Sequence, residues 1–247
     1  MKQFNLTTAM SKRLIGKGMA RHPEVLDVLE EGTLAIVAGT TNGYVAEEIL
    51  TTLGQAEGFT RVGFRRGLSV APGRQVPNAE FPGDVIIVKG EWQRGKTIYD
   101  VADDLEKGDL VLKGANAFDP FGHGAVQIGH PQGGTVHAVL SAVYGRRVQI
   151  IVPVGVEKRI FEDVVDLAID VNAPDANGTR LYPLPGVVFT ELDAIRLLTG
   201  ADARLIAAGG IYGAEGAAWI GVSGTEEQEA AAADLIKSVR DEPPCEV

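Results

Sequence analysis

The sequence predicts an α/β protein: an open, mostly parallel sheet with helices on both faces, followed by a small C-terminal α+β subdomain. Three observations carry this expectation. Short apolar runs such as "TLAIVAG" (33–39), "DVIIVKG" (84–90), "DLVLKGAN" (109–116) and "VQIIVPV" (148–154) are too short for helices and read as buried strands. Segments with helical apolar spacing alternate with them from residue 33 to 160, as parallel βαβ units covered on both faces require. Beyond about residue 165 the alternation loosens, and a helix, two strands and a helix follow. The expected division is therefore an α/β core with anion-binding loops over 1–165 and a small α+β subdomain or lid over 166–247.

The first helix opens at His22-Pro23-Glu24, because proline suits the first helical turn, where its missing N–H is no loss. Val25, Val28 and Leu29 share one face and Gly32 is placed to stop it. After strand 33–39, Val45, Ile49, Leu50 and Leu53 recur at helical spacing up to Gly54. A strand is expected near "RVGF" (61–64), then a loop over 65–83 rich in Pro, Gly and Arg, long enough to suggest a functional role. Ile98, Val101, Ala102 and Leu105 form a helix face between strands 84–90 and 109–116, and "VHAVLSAVYG" (136–145) reads as helix. "NAPDANG" (172–178) is a turn-rich break. Thr190 and Asp193 cap a helix that stops at Gly200. "RLIAAGG" and "AAWIGVSG" are two strands joined by a Gly-rich turn, and Thr225 with Gln228 forms a capping box for the last helix.

Composition narrows the function classes. The 247 residues carry 33 acids against 23 Lys and Arg, a formal net charge of −10, which argues against non-specific binding to nucleic acid or an anionic membrane. The single cysteine, Cys245, can form no internal disulfide and offers no thiolate cluster. Met1 is followed by polar residues rather than an apolar signal region, and no apolar run approaches the ~18–20 residues of a membrane span. The expected location is cytoplasmic, with no membrane or nucleic-acid partner.

"VAGTTNGYVAEEIL" (37–50) passes from a strand through Gly39, Thr40, Thr41 and Asn42 into a helix. Glycine admits a ligand close to the backbone, the next three residues are good N-caps, and the first turn of a helix holds unpaired N–H groups with a partial positive charge. Such a terminus binds phosphate or carboxylate without basic side chains; the simpler reading is that these residues only cap the helix. The pattern recurs where Gly133, Gly134 and Thr135 precede the 136–145 helix. Ligands of open parallel sheets gather at the carboxyl ends of the strands, so Gly39–Asn42, Asn116, Asp119 and Lys158 are expected to meet across one cleft. "GGIYGAEG" (209–216) lacks the following helix that a dinucleotide fingerprint needs.

Three strings together resemble one superfamily, that of ribose-5-phosphate isomerase, glucosamine-6-phosphate deaminase and the coenzyme A transferases. "EEGTLAIVAGTTNGYVAEEI" resembles its first strand and Gly-Thr-Gly-Ser-Thr phosphate loop, "DLVLKGANAFD" its Asp-Gly-Ala-Asp-Glu element, and "VQIIVPVGVEKR" the strand whose loop ends in Ser-Lys. The resemblance covers about residues 20–160 and implies a Rossmann-like sheet, a sugar phosphate or coenzyme A ester as ligand, Lys158 as an anion-binding lysine, and a homo-oligomer. The departures are chemical. Lys113 and Asn116 stand where the isomerase acids fall, and an amide cannot act as a general base. Glu157 replaces the family serine, and Glu215, in a Gly-rich context, lies in the C-terminal unit rather than where a transferase nucleophile belongs.

Two functional readings follow. In the first, the chain is an isomerase, hydrolase or transferase that holds an anionic metabolite at Gly39, Thr40, Thr41, Asn42, Gly114, Asn116, Gly133, Gly134, Thr135 and Lys158, with Asp119 or His123 moving a proton and no metal or cofactor. In the second, it is a sensor of the same fold that has kept the anion site and lost the acids. A metal-dependent alternative uses His123, His130 and His137, which recur every seven residues near Asp119.

Overall fold

The computed structural model describes residues 1–67, 69–70, 73 and 79–244. Much of the expected 65–83 loop, and Cys245, lie outside the described residues. The chain opens with strand β1 (Lys2–Leu6) and helices α1 (Thr8–Met19) and α2 (Pro23–Glu31), then β2 (Thr33–Ile36) and α3 (Thr40–Thr52). After a long connection come β3 (Val85–Val88), β4 (Glu91–Trp92), the short α4 (Ile98–Val101) and β5 (Leu110–Leu112). The hairpin β6 (Ala117–Phe118) and β7 (Gly124–Ile128) leads into α5 (Gly134–Leu140), one π-helical turn (Ser141–Gly145) and β8 (Gln149–Pro153). A 3₁₀ turn (Val156–Lys158), α6 (Val164–Val171), β9 (Arg180–Leu184), β10 (Val187–Phe189) and α7 (Glu191–Thr199) follow. The described chain closes with β11 (Asp202–Ala208), β12 (Ala218–Ser223) and α8 (Glu226–Lys237).

The architecture is mixed α/β, centred on a six-stranded mixed sheet of order β10-β8-β5-β2-β3-β4. The first four of these run parallel, while β3 and β4 are antiparallel to their neighbours. Alternation along the strands divides the core as period-2 geometry demands. Leu34, Ile36, Leu110 and Leu112 pack with Ile15, Val25, Val45 and Ile49 of α1, α2 and α3. Ala35, Val37, Val111 and Val152 pack with Ile98 of α4 and with Val136 and Val139 of α5. Helices thus cover both faces, as the near-continuous apolar runs imply.

Two antiparallel three-stranded sheets flank this layer, of order β1-β12-β11 and β6-β7-β9. Strand pairing crosses residue 165 in all three sheets: β12 takes β1, β10 extends the central sheet beside β8, and β9 pairs β7. Among the described residues no helix is long and apolar enough to cross a membrane.

Two expectations are corrected. Residues 61–64 form a turn rather than a strand: Phe64 N–H donates to the Arg61 carbonyl at 3.1 Å, and Gly63 sits at φ +80°, a left-handed conformation no strand accepts. Buried Phe64 instead meets Phe59 edge-on at 5.4 Å. With no strand there, the chain enters β3 from the carboxyl edge of β2, so the pair is antiparallel, with Ile36 opposite Val85. The expected 136–145 helix is also divided, starting at Gly134 and changing to π geometry at Ser141.

Helix α1 explains a feature of the sequence that local propensity disfavours. Glycine inside a helix costs roughly 1 kcal/mol relative to alanine, yet α1 holds Gly16 and Gly18. A Cβ at Gly16 would lie 2.8 Å from the Tyr44 carbonyl oxygen of α3, and one at Gly18 2.7 Å from the Ala194 Cβ of α7. Both glycines let α1 settle against two helices at once. Gly16→Ala is expected to destabilise the protein by roughly 1–3 kcal/mol through overpacking, read as a lower midpoint in urea unfolding. An unchanged midpoint would show that α1 does not need this close approach.

Candidate functional site

The parallel strands β2, β5 and β8 end at one edge of the central sheet, and the loops leaving them enclose a cleft of about 330 Å³. That volume suits a small metabolite. All ten residues expected to bind the anion line it: Gly39, Thr40, Thr41, Asn42, Gly114, Asn116, Gly133, Gly134, Thr135 and Lys158. The walls also include Arg66, Tyr99, Lys113 and His130, with Val126, Gln127 and Ile128 from the β7 strand. None of the described lining residues is an Asp or a Glu.

Helix α3 begins at the floor of this cleft without a side-chain cap. Gly43 N–H donates to the Gly39 carbonyl at 2.8 Å, so the N–H groups of Thr40, Thr41 and Asn42 precede the first intrahelical bond. Gly39 is extended at φ 177°, which any residue adopts, and among the described residues a Cβ there would meet nothing within 4 Å. Its missing side chain therefore leaves open space in the cleft rather than relieving strain. The Thr41 hydroxyl is buried with no hydrogen-bond partner among the described residues, an arrangement that costs about 1–3 kcal/mol unless a ligand supplies one. Asn42 serves the framework instead. Its amide donates to the Val37 and Leu112 carbonyls at 2.8 and 2.9 Å, tying the ends of β2 and β5 together.

Asp84, just before β3, organises the far wall. Its side chain is fully buried, and its oxygens accept from Ala38 N–H and Ile98 N–H, each at 2.8 Å, and from Arg66 at 2.9 Å. The Arg66 guanidinium lies 4.4 Å from the Phe81 ring centre and 5.7 Å from that of Tyr99. The antiparallel entry of β3 is what brings Asp84 to this edge.

Two lysines complete the site. Lys113, at the end of β5, is only 8% exposed. Among the described residues its ammonium has no hydrogen-bond or ion-pair partner. Burial pulls it down to about 8, Asp84 opposing and Arg66 assisting. Lys158 is lowered too, again by burial, with Glu157 and Glu191 opposing. Its ammonium donates to the Ala115 carbonyl at 3.0 Å. Behind it, fully buried Glu191 accepts from Val156 N–H at 3.0 Å, and burial with Glu157 nearby pushes its carboxyl up to about 7.

Asp119 and His123 do not line this cleft. Asp119 closes the β6–β7 hairpin: it accepts from Phe121 and His123 N–H at 2.9 Å each, from Val164 N–H at 3.3 Å, and meets His123 Nδ1 at 3.1 Å. Burial alone would raise its carboxyl, but the N–H groups of His123, Val164 and Phe121 hold it below the usual range. Asp119 anchors the hairpin, and the His123 imidazole that it meets is exposed.

The three histidines do not converge either. Among the described residues, the set with ligand atoms within 4.8 Å of one another is Asp119, His123 and Asp163. Asp163 is already engaged as the N-cap of α6. His130 lies in the cleft, and His137 is exposed on α5. Sequence reasoning missed Arg66, Asp84 and the β7 wall, because their roles depend on the antiparallel strand pairs. It met Lys113 only as a departure from an acid.

Comparisons with protein-family models, curated proteins and solved structures return no match.

Lys113 generates a pH-dependent expectation. Its amine binds a proton less tightly in the folded chain than in the unfolded one, so stability rises with pH between about 8 and 10.5, and the full cost is present below 8. Lys113→Met should therefore stabilise the protein at pH 7 by up to about 3 kcal/mol, with the gain shrinking toward pH 10.5. Thermal unfolding of both proteins across that window checks it, and a pH-independent difference would contradict it. Asp119→Asn, by contrast, should cost roughly 1–3 kcal/mol of stability and leave affinity for cleft ligands unchanged. A large change in affinity at unchanged stability would return Asp119 to the binding site.

Proposed function

We propose that this chain binds a small phosphorylated or carboxylated metabolite in the cleft at the carboxyl edge of the central sheet. One observation carries the reading: Lys113, Lys158, Arg66 and the uncapped start of α3 face one volume whose described lining has no carboxylate, in a protein of net charge −10. In this reading the anion lies against the N–H groups of Thr40–Asn42, the Thr41 hydroxyl gains its partner, and the lysines neutralise the charge. The resemblance to the isomerase, deaminase and coenzyme A transferase superfamily supports it, since residues from all three resembling strings border the cleft. The Rossmann-like character of the sheet belongs to the same proposal.

Isomerase chemistry is not part of this reading, because Lys113 and Asn116 replace the acids it uses. The lack of a carboxylate base among the described lining residues favours a second reading, in which the protein is a metabolite sensor without turnover.

Thermal shift with metal-free protein tests the proposal. Inorganic phosphate, ribose 5-phosphate or a small dicarboxylate at 100 times its Kd should add about 2.7 kcal/mol, a rise of roughly 5–11 °C, while free ribose should add nothing. Lys158→Ala is expected to weaken phosphate binding roughly 10- to 100-fold, the value of a charge-assisted hydrogen bond. Equal shifts with ribose and ribose 5-phosphate, or none with any anion, would refute it.

A further inference from the structure

Lys113 and Lys158 share the cleft but differ in what holds them. Lys158 is engaged by the Ala115 carbonyl and has Glu157 and Glu191 nearby. Lys113 is nine-tenths buried and lines the same volume with no partner among the described residues. It also borders an apolar crevice formed by Val136, Val139, Leu140, Ile150 and Leu184. A cation needed only to attract an anion would be cheaper at the rim, beside Arg66. A buried amine bordered on one side by apolar side chains and without a partner among the described residues is instead a setting in which lysine becomes a nucleophile.

We propose that Lys113 is a catalytic nucleophile that forms an imine with the carbonyl group of an anionic aldehyde or ketone, whose phosphate or carboxylate is held by Thr40–Asn42 and Lys158. This rests on the anion-binding reading above and names the substrate class. The neutral amine attacks the carbonyl carbon, forming the C–N bond as the carbonyl π pair moves to oxygen. Nitrogen loses a proton to solvent and oxygen gains one, giving a carbinolamine. Its hydroxyl takes up a second proton and leaves as water, while the nitrogen lone pair closes the C=N bond. One water is released for each imine and nothing is oxidised or reduced.

The titratable groups facing this volume are Tyr99, His130, Lys158 and Arg66, with Asp84 behind Arg66. Burial lowers the proton affinity of Lys113, so a substantial fraction of the amine is neutral near pH 8. An imine at this position also answers the question the missing carboxylate raises. The iminium is itself the electron sink, so carbon chemistry next to the carbonyl does not depend on an Asp or Glu in the lining.

The experiment is reductive trapping of the intact protein with borohydride, using dihydroxyacetone phosphate and pyruvate as anionic probes and acetone as the neutral one. Peptide mass mapping locates any adduct. The expected result is one reduced adduct per chain on the Lys113 peptide with an anionic probe, little with acetone, competition by inorganic phosphate, and no adduct in Lys113→Arg. Mapping on the wild-type chain decides the matter even if that variant folds poorly. Phosphate-induced stabilisation without an adduct would overturn the imine and leave the anion site standing. Neither stabilisation nor adduct would overturn both. Adducts spread over surface lysines and unchanged in Lys113→Arg would also overturn the imine.

Discussion

The carboxylate of Asp84 is the interaction on which the order of this edge depends. It is a buried charge, and such a charge survives only when its lone pairs are filled. Backbone N–H groups from the end of β2 and the start of α4 fill two of them, and the Arg66 guanidinium fills the rest. One side chain therefore sets the position of a strand end, a helix start and a cationic wall of the cleft. It does so because β3 runs against β2, which puts the residue before β3 beside the residue after β2.

That arrangement leaves an imbalance in the cleft. Asp84 is committed to Arg66 and the backbone, so Lys113 is not neutralised by it through a direct contact. Thr41 likewise is buried with a hydroxyl that no described residue pairs. Packing elsewhere supplies the stability that these groups subtract: both faces of the central sheet are covered, and helix α1 is seated through two glycines. The proposed anionic ligand would satisfy the cationic and polar groups that the described residues leave unpaired in this one concave place.

The parts of this structure legible in the sequence are those set by local chemistry. Strands buried on both faces announce themselves as apolar runs, and Thr190 with Asp193 and Thr225 with Gln228 mark helix starts where the capping boxes occur. Position after β2, β5 and β8 anticipated that Gly39–Asn42, Asn116 and Lys158 line one cleft, and the repeated Gly-rich helix start added Gly133, Gly134 and Thr135. What was not legible depended on distant partners. Strand β1 and helix α1 lack a clear signal, because β1 makes sense only beside β12 and the glycines of α1 suppress its propensity. The sense of β3 was hidden because "RVGF" has strand-like composition but contains a glycine that must be left-handed. The sequence shows Asp119 and His123 as near neighbours but not that Asp119 is spent on the hairpin's N–H groups or that neither residue lines the cleft.

The pairing of β1 with β12 has a consequence for how the protein is made. Lys2 pairs with Val222, so β1 cannot complete its ladder until the chain has been made through β12. At roughly 5–20 residues per second, β1 waits on the order of ten seconds or more before its ladder can form. During that interval its hydrogen-bonding edge and the apolar side chain of Leu6, fully buried in the finished protein, have no sheet to join. Long-range pairing of this kind is slow and exposes chains to misassociation. In a cell, the vulnerable moment of this pairing falls during synthesis, before β12 has emerged.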